Sequence, residues 1–283
     1  MPTYRTQDGA DIYYESFGSG EEIVISAQQS FGGDSYQKRL AQTLPGYRVY
    51  EIQLRGYGKS THVQEDLGTG WYRIWARDVA EFARQQGISR FIYTGNSHGA
   101  GVGWRLALDY PELLKAFVSV VGAPHDRAGG DVSPARQRTI DMADDPAALR
   151  EMMDRAPAPK GYPTSSPDRL ERRQRAHEDF KRFFLSMAPE ELRINPRKPL
   201  PEAATNEELA ELLGKVRTPT LMLAGLQDDI ISAEMSLLAA KAVPYAKSVF
   251  YQDHGHSLAS EAPDRVIDEI ALFIAEINQH RWG

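Results

Sequence analysis

Gly95-Asn96-Ser97-His98-Gly99 follows a run of β-forming residues, Arg90-Phe91-Ile92-Tyr93-Thr94, and opens a stretch of helical character from Ala100 to Asp109. A serine at a sharp strand-to-helix turn needs glycines two places before and after it. They remove the Cβ atoms that would crowd the bend, and the hydroxyl is left exposed and free to attack. Average glycine and serine usage puts this pentapeptide in about one chain in ten of this length by chance. Its meaning therefore rests on what surrounds it.

Upstream, the pattern predicts antiparallel strands around Asp8-Gly9 and Gly18-Ser19-Gly20, with alternation in Ala10-Asp11-Ile12-Tyr13-Tyr14 and a strand at Glu22-Ile23-Val24-Ile25-Ser26. A short helix near Tyr36 to Leu44, a strand from Tyr47 to Leu54 and an amphipathic helix from Trp71 to Gln86 precede the strand at Arg90. Downstream, Ala116-Phe117-Val118-Ser119-Val120-Val121 reads as a strand buried on both faces. From Pro124 to about Lys215 the chain turns polar, with helical patterns at Pro146 to Arg155, Asp168 to Met187 and Asn206 to Lys215 and no strand pattern. Strand and helix alternation then resumes at Thr218 to Ala224, Ala233 to Ala242, Ser248 to Gln252 and Pro263 to Ile277. The expectation is an α/β fold, a mostly parallel central sheet flanked by helices. Residues 1–123 and 216–283 would form the core and residues 124–215 an inserted helical cap over the carboxyl ends of the strands, where open α/β sheets carry their ligands.

Composition narrows the function. The chain has 283 residues, 41% hydrophobic and 25% charged, with a net charge of −6. That balance offers no broad basic surface for nucleic acid and points to a small organic partner. The absence of cysteine excludes disulfides, thiolate metal sites and a cysteine nucleophile. The His and carboxylate residues are too scattered for a recognisable metal site, and no cofactor is expected. Neither an apolar leader nor a run of roughly 18 apolar residues is present, so the expectation is a cytoplasmic protein off the membrane. A monomer and a homodimer both remain open.

A serine hydroxyl needs a general base within hydrogen-bond reach and a carboxylate to fix that base's tautomer. Of seven histidines, His256 is best placed, in Asp253-His254-Gly255-His256-Ser257 after the last strand. Asp228 and Asp229 both follow the strand Leu221-Met222-Leu223-Ala224 through Gly225-Leu226-Gln227, which puts an acid in the neighbouring carboxyl-edge loop. His254 reads as a loop histidine. Arg169, Arg172, Arg173 and Arg175, with Glu171 and Glu178, read as a solvated helix face.

Together these segments resemble the α/β-hydrolase superfamily over nearly the whole chain. Arg55-Gly56-Tyr57-Gly58-Lys59-Ser60 is similar to its R-G-x-G-x-S loop, Gly95 to Gly99 to its nucleophile elbow, Gly225-Leu226-Gln227-Asp228 to its acid loop, and Gly255-His256-Ser257 with Glu261-Ala262-Pro263 to its histidine loop. The resemblance implies Ser97 as nucleophile, His256 as base and Asp228, rather than Asp229, as orienting acid, with Asp126 at the superfamily's alternative acid position and the backbone N–H groups of Phe31 and His98 as the oxyanion hole. Two departures stand out: Gln29-Ser30 replaces His-Gly ahead of Phe31, and Gln53-Leu54 replaces an aspartate ahead of the Arg55 loop. The first would alter the oxyanion turn or add a donor from the Gln29 amide or the Ser30 hydroxyl; the second reads as structural. Gln29, Ser30, Phe183, Phe184 and Met187 are candidate substrate-binding residues. The expected reaction is hydrolysis of a carboxylic ester or lactone through an acyl-enzyme. Carbon–carbon bond hydrolysis, amide cleavage or cofactor-free oxygenase or lyase chemistry on the same fold is the alternative, and a non-catalytic small-molecule receptor is the third reading.

Overall fold

Strands buried at nearly every position set the architecture, which a computed structural model describes for residues 2–30, 35–128, 130, 132–156, 161–163 and 165–281. Eight strands form one sheet: β1 (Thr3–Arg5), β2 (Asp11–Gly18), β3 (Glu22–Gln28), β4 (Tyr47–Gln53), β5 (Phe91–Asn96), β6 (Leu114–Val120), β7 (Thr220–Gly225) and β8 (Ala246–Tyr251). Their order is β1-β2-β4-β3-β5-β6-β7-β8. The β1–β2 and β2–β4 pairs are antiparallel and every other pair is parallel.

Val24, Ile92, Val118 and Leu221 point to one apolar layer, and their neighbours Ile25, Tyr93, Phe117 and Met222 point to the other. Period-two side chains that are apolar on both faces demand helices on both faces. The first layer holds α1 (Tyr36–Thr43) and α11 (Pro263–Asn278); the second holds α2 (Trp71–Gln85), α3 (His98–Asp109), α8 (Asn206–Leu213) and α9 (Ala233–Ala242). The antiparallel hairpin expected around Gly18 to Gly20 is corrected. The chain does turn there, but β2 pairs with β4, and β3 slides between β4 and β5. Val24, Ile25, Ser26 and Ala27 are all buried, so β3 needs a neighbour on each edge and cover on each face.

Between β6 and β7 the described residues contain no strand and carry α4 (Pro134–Asp141), α5 (Pro146–Arg155), α6 (Pro167–Leu185), α7 (Pro189–Arg193) and then α8. The helical insert is thus present, with two helices, α4 and α7, that periodicity missed. Both are short and polar, and α4 is started by a local device: Pro134 at its first turn and the Ser133 hydroxyl accepting from Arg136 N–H. The four-residue α10 (Leu258–Glu261), also unforeseen, follows the histidine loop.

Candidate active site

The turn at Ser97 is held open by contacts on every side. Ser97 has φ 51° and ψ −111°, a conformation that costs a non-glycine residue energy and persists only where surroundings over-determine it. Its N–H donates to Val120 O at 3.0 Å, and its carbonyl accepts from Ala100 N–H at 3.0 Å. A Cβ on Gly95 would lie 2.2 Å from the Gly99 carbonyl carbon, and one on Gly99 would lie 2.6 Å from Ala27 O. Glycine is therefore required at both places. Further along α3, Gly103 sits where a Cβ would be 2.1 Å from the Phe117 ring, which lets the helix lie directly on β6.

Two loops at the carboxyl edge, those of Asp228 and His256, converge on this serine. His256 Nε2 is 2.8 Å from Ser97 Oγ, and His256 Nδ1 is 2.9 Å from Asp228 Oδ2. The Asp228 side chain is 1% exposed, and its Oδ1 accepts from Ile230 N–H at 2.9 Å and Ile231 N–H at 2.8 Å, so two backbone groups aim it. With Nδ1–H donated to the carboxylate, Nε2 is the acceptor that faces the serine hydroxyl. Gln227 N–H donates to His254 O at 2.9 Å and splices the acid loop to the histidine loop.

The competing residues fall elsewhere. Asp229 is exposed. Asp126, also exposed, accepts from Ala128 N–H and the Asn206 amide. His254 is buried against the Tyr251 ring, 5.5 Å between centroids.

Burial pushes the His254 imidazole down to about 4, with the positive charges of Arg169 and Arg265 adding to it. An unfolded histidine titrates near about 6.5, so the unfolded chain binds a proton that the folded chain refuses between the two values. That contribution is fully present above about pH 6.5 and is lost as pH falls toward 4, at up to about 1.4 kcal/mol per pH unit. His254→Leu should flatten the acid limb of unfolding free energy measured by urea titration from pH 7 to 4.5. Parallel profiles for the two proteins would remove His254 from the account.

Around the oxyanion position, Phe31 lies outside the described residues. His98 is the first residue of α3, where backbone N–H groups have no intrahelical acceptor. The Gln29 amide, expected as an added donor there, is engaged elsewhere: Nε2 donates to Tyr57 Oη at 3.0 Å. The Ser30 hydroxyl makes no hydrogen bond among the described residues. Gln53 has a structural role, as its Nε2 donates to Gln29 O at 3.2 Å and its Oε1 accepts from Lys59 N–H at 2.7 Å. It thereby clips the end of β3 to the loop from Arg55 to Ser60.

Composition and motif spacing did not single out two further residues. His125, on the loop after β6, is half-buried near His256, and burial pushes it down to about 4, with the positive potential of His256 adding to this. His98 is pushed down to about 3 by burial, and then by Arg136, His125 and His256. Both rings are therefore neutral at pH 7. The second missed residue, Arg136, comes from α4. The signal for His125 was topological: the residue after a central strand's carboxyl end lies beside the neighbouring elbow.

The insert is tied to the histidine loop. The arginine run on α6, expected to be solvated, bonds the loop of His256 at three of four positions; Arg169 and Arg173 are half-buried, while Arg172 and Arg175 are exposed. Arg173 Nε is 3.1 Å from Glu261 Oε1, Arg172 Nε donates to Glu261 O at 2.7 Å, and Arg169 donates to Asp253 O at 2.6 Å. Glu261, fully buried at the end of α10, is the reason, because an isolated buried carboxylate needs cationic partners. Arg175 pairs with Glu171 in solvent as expected. Phe184 packs with Ala143, Leu149, Met153 and Leu192 in the insert's own core, Met187 touches both that cluster and the main core, and Phe183 is half-buried on α6. A cleft of about 410 Å³ near Arg73, Arg105, Asp109 and Glu202 contains none of the triad, and its charges already pair across it. Among the described residues no helix is long and apolar enough to cross a membrane, and no group of three His, Asp or Glu converges as a metal site.

A mostly parallel eight-stranded sheet, a serine at a strained strand-to-helix turn and a helical insert after β6 define the class. The chain belongs to the alpha/beta hydrolase fold family, whose pattern matches residues 28–263. It is 25% identical, over 99% of this chain and all of the relative, to RutD of Azorhizobium caulinodans, provisionally named a carbamate hydrolase. It is also 25% identical, over 93% of this chain and 92% of the relative, to a 2-hydroxy-6-oxononadienedioate/2-hydroxy-6-oxononatrienedioate hydrolase of a Pseudomonas species. An esterase from Rhodococcus sp. ECU1013 superposes with a TM-score of 0.73 at 22% identity over 98% of both chains.

Proposed function

We propose that this protein is a serine hydrolase that cleaves a carboxylic ester or lactone of a small organic molecule through an acyl-enzyme. The observation that carries the reading is the unbroken chain Ser97 Oγ, His256 Nε2, His256 Nδ1, Asp228 carboxylate at 2.8 and 2.9 Å. His256 takes the Ser97 proton as Oγ adds to the carbonyl carbon, and Asp228 stabilises the imidazolium. The His98 N–H, together with that of Phe31, holds the tetrahedral oxyanion; each such donor is worth about 3 kcal/mol in the transition state. His256 then protonates the departing alkoxide and activates the water that releases the acid. Neutral His98 and His125 keep positive charge off the pocket wall, so the imidazolium at His256 forms without a like-charged neighbour. Residues 124–215 act as the cap that roofs the site. No cofactor enters any step.

A second reading, carbon–carbon bond hydrolysis of a vinylogous diketone, draws on Gly95-Asn96-Ser97 and on the relative from Pseudomonas, and uses the same serine. A fluorophosphonate probe followed by intact-mass measurement tests what the two readings share. One adduct should form and map to Ser97; an unlabelled protein would sink both. A panel of esters, lactones and vinylogous diketones then separates them, since turnover confined to the diketones would favour the second.

A further inference from the structure

The loop that carries His256 runs from the end of β8 at Tyr251 to the start of α10 at Leu258. Pairing of β8 with β7 fixes one end of it in the sheet. The other end is fixed by α10, where Leu258 N–H donates to Gly255 O at 3.2 Å and Glu261 N–H donates to Ser257 O at 2.9 Å. What holds α10 is the insert. It packs on α6, and the Glu261 side chain, 1% exposed, sets its carboxylate 3.1 Å from Arg173 Nε and 3.9 Å from Arg169 Nε. Arg169 also reaches back along the loop and donates to Asp253 O at 2.6 Å. Arg173 donates to Tyr162 Oη at 2.8 Å, and that hydroxyl lies so close to Gly255 that a Cβ there would stand 2.7 Å from it. Side chains of the insert therefore touch the chain before His256, at Asp253 and Gly255, and after it, at Glu261.

These contacts are sheltered. The Arg169 and Arg173 side chains are 13% and 17% exposed, and a buried carboxylate cannot exchange its cations for water, so the pairing with Glu261 is a firm anchor where a surface ion pair would be a loose one. Proton transfer from Ser97 needs His256 Nε2 at hydrogen-bond distance, and it stands at 2.8 Å. Misplacing a reacting group by about 1 Å costs on the order of 10²-fold in rate. The backbone on which His256 stands is thus part of the catalytic geometry. Gln227 ties that backbone to the acid loop; Arg169, Arg173 and Tyr162 tie it to the insert.

We propose that Arg169 and Arg173 are positioning residues for His256, acting through Glu261 and the Asp253 carbonyl, so that the seated insert completes the triad as well as roofing it. The assignment rests on the serine-hydrolase reading for its kinetic consequence but not for its structural one.

The test compares Arg173→Met with Arg173→Lys, with Arg173→Met combined with Glu261→Gln, and with Arg175→Met, whose arginine pairs with Glu171 in solvent on the same helix. On p-nitrophenyl butyrate the kcat of Arg173→Met should fall about 10-fold or more while KM stays within about twofold, because His256 serves both formation and release of the acyl-enzyme. Labelling of Ser97 by the fluorophosphonate should slow by a similar factor. Arg173→Lys should recover part of the loss, and Arg175→Met should match the wild type. The combined variant separates position from stability: it removes the stranded carboxylate, so urea unfolding should return toward the wild type while kcat stays low. Wild-type kcat in Arg173→Met, a change confined to KM, or full kcat in the combined variant overturns the proposal. If the fluorophosphonate leaves wild-type Ser97 unlabelled, the hydrolase reading falls, and the Nδ1–H that His256 donates to Asp228 still decides the positioning role. Its downfield proton NMR signal, identified by its loss in His256→Gln, should shift or broaden in Arg173→Met. An unchanged signal there overturns the proposal.

Discussion

Ser97→Ala is expected to lower kcat on p-nitrophenyl esters by roughly 10⁴-fold or more, with a melting temperature within a few degrees of the wild type. The two readouts separate because the hydroxyl contributes nothing to the turn. Ser97 makes no side-chain cap bond on α3, and its Oγ is engaged by His256 Nε2 at 2.8 Å. Alanine inherits the same φ of 51°, so the strain is unchanged. The residual rate would come from binding and oxyanion stabilisation. Members of a nucleophile–base unit fail together, so adding His256→Ala to Ser97→Ala should cost little more. Retention of a tenth of the activity in Ser97→Ala would end the acyl-enzyme account.

Arg55→Met should destabilise the fold by about 3–5 kcal/mol. Arg55 Nε and Nη2 bond both Asp78 oxygens at 3.0 and 2.7 Å, while Nη1 and Nη2 bond Asp8 at 2.8 Å each. The side chains of Arg55 and Asp78 are 10% and 3% exposed. Removing the cation strands the Asp78 carboxylate in a place water cannot reach, and that desolvation sets the size of the loss. The hydrogen bond to Arg55 also holds the Asp8 carboxyl well below the usual carboxylate range. Arg55→Met combined with Asp78→Leu should recover most of the stability, since replacing both charges by apolar groups removes the cost with the benefit. Urea unfolding at pH 7 reads both. A loss under about 1 kcal/mol in the single variant would show that Asp78 finds another partner.

Much of the fold was legible because its signals are local. Short apolar runs marked the strands from Glu22 onward, and helices such as Pro146–Arg155 and Ala233–Ala242 coincide with their expected ranges. Motifs at the ends of β5, β7 and β8, read with the family resemblance, singled out Ser97, Asp228 and His256, the three side chains that the structure brings into one hydrogen-bonded chain. The polar helices α4 and α7 were not legible, because caps and proline start them while tertiary contacts keep them. The placement of β2 was missed for a related reason. Gly18 to Gly20 makes a turn, but which strand lies alongside is decided by β3, whose burial on both faces takes it to the centre of the sheet.

The sequence by itself determined the elbow, the alternation of strand and helix, and the chemical types available for catalysis. Each depends on steric and hydrogen-bonding rules acting within a few residues. Only the tertiary structure decided where the long polar side chains went. Gln29 reaches Tyr57 instead of the oxyanion position, Arg169 and Arg173 turn inward to the loop of His256, and Arg172 bonds the Glu261 carbonyl from the surface. Flexible charged and amide groups carry no periodic signature. Their destinations are set by which buried carboxylate, carbonyl or hydroxyl the packed elements leave unsatisfied, and that is known only after the elements have packed.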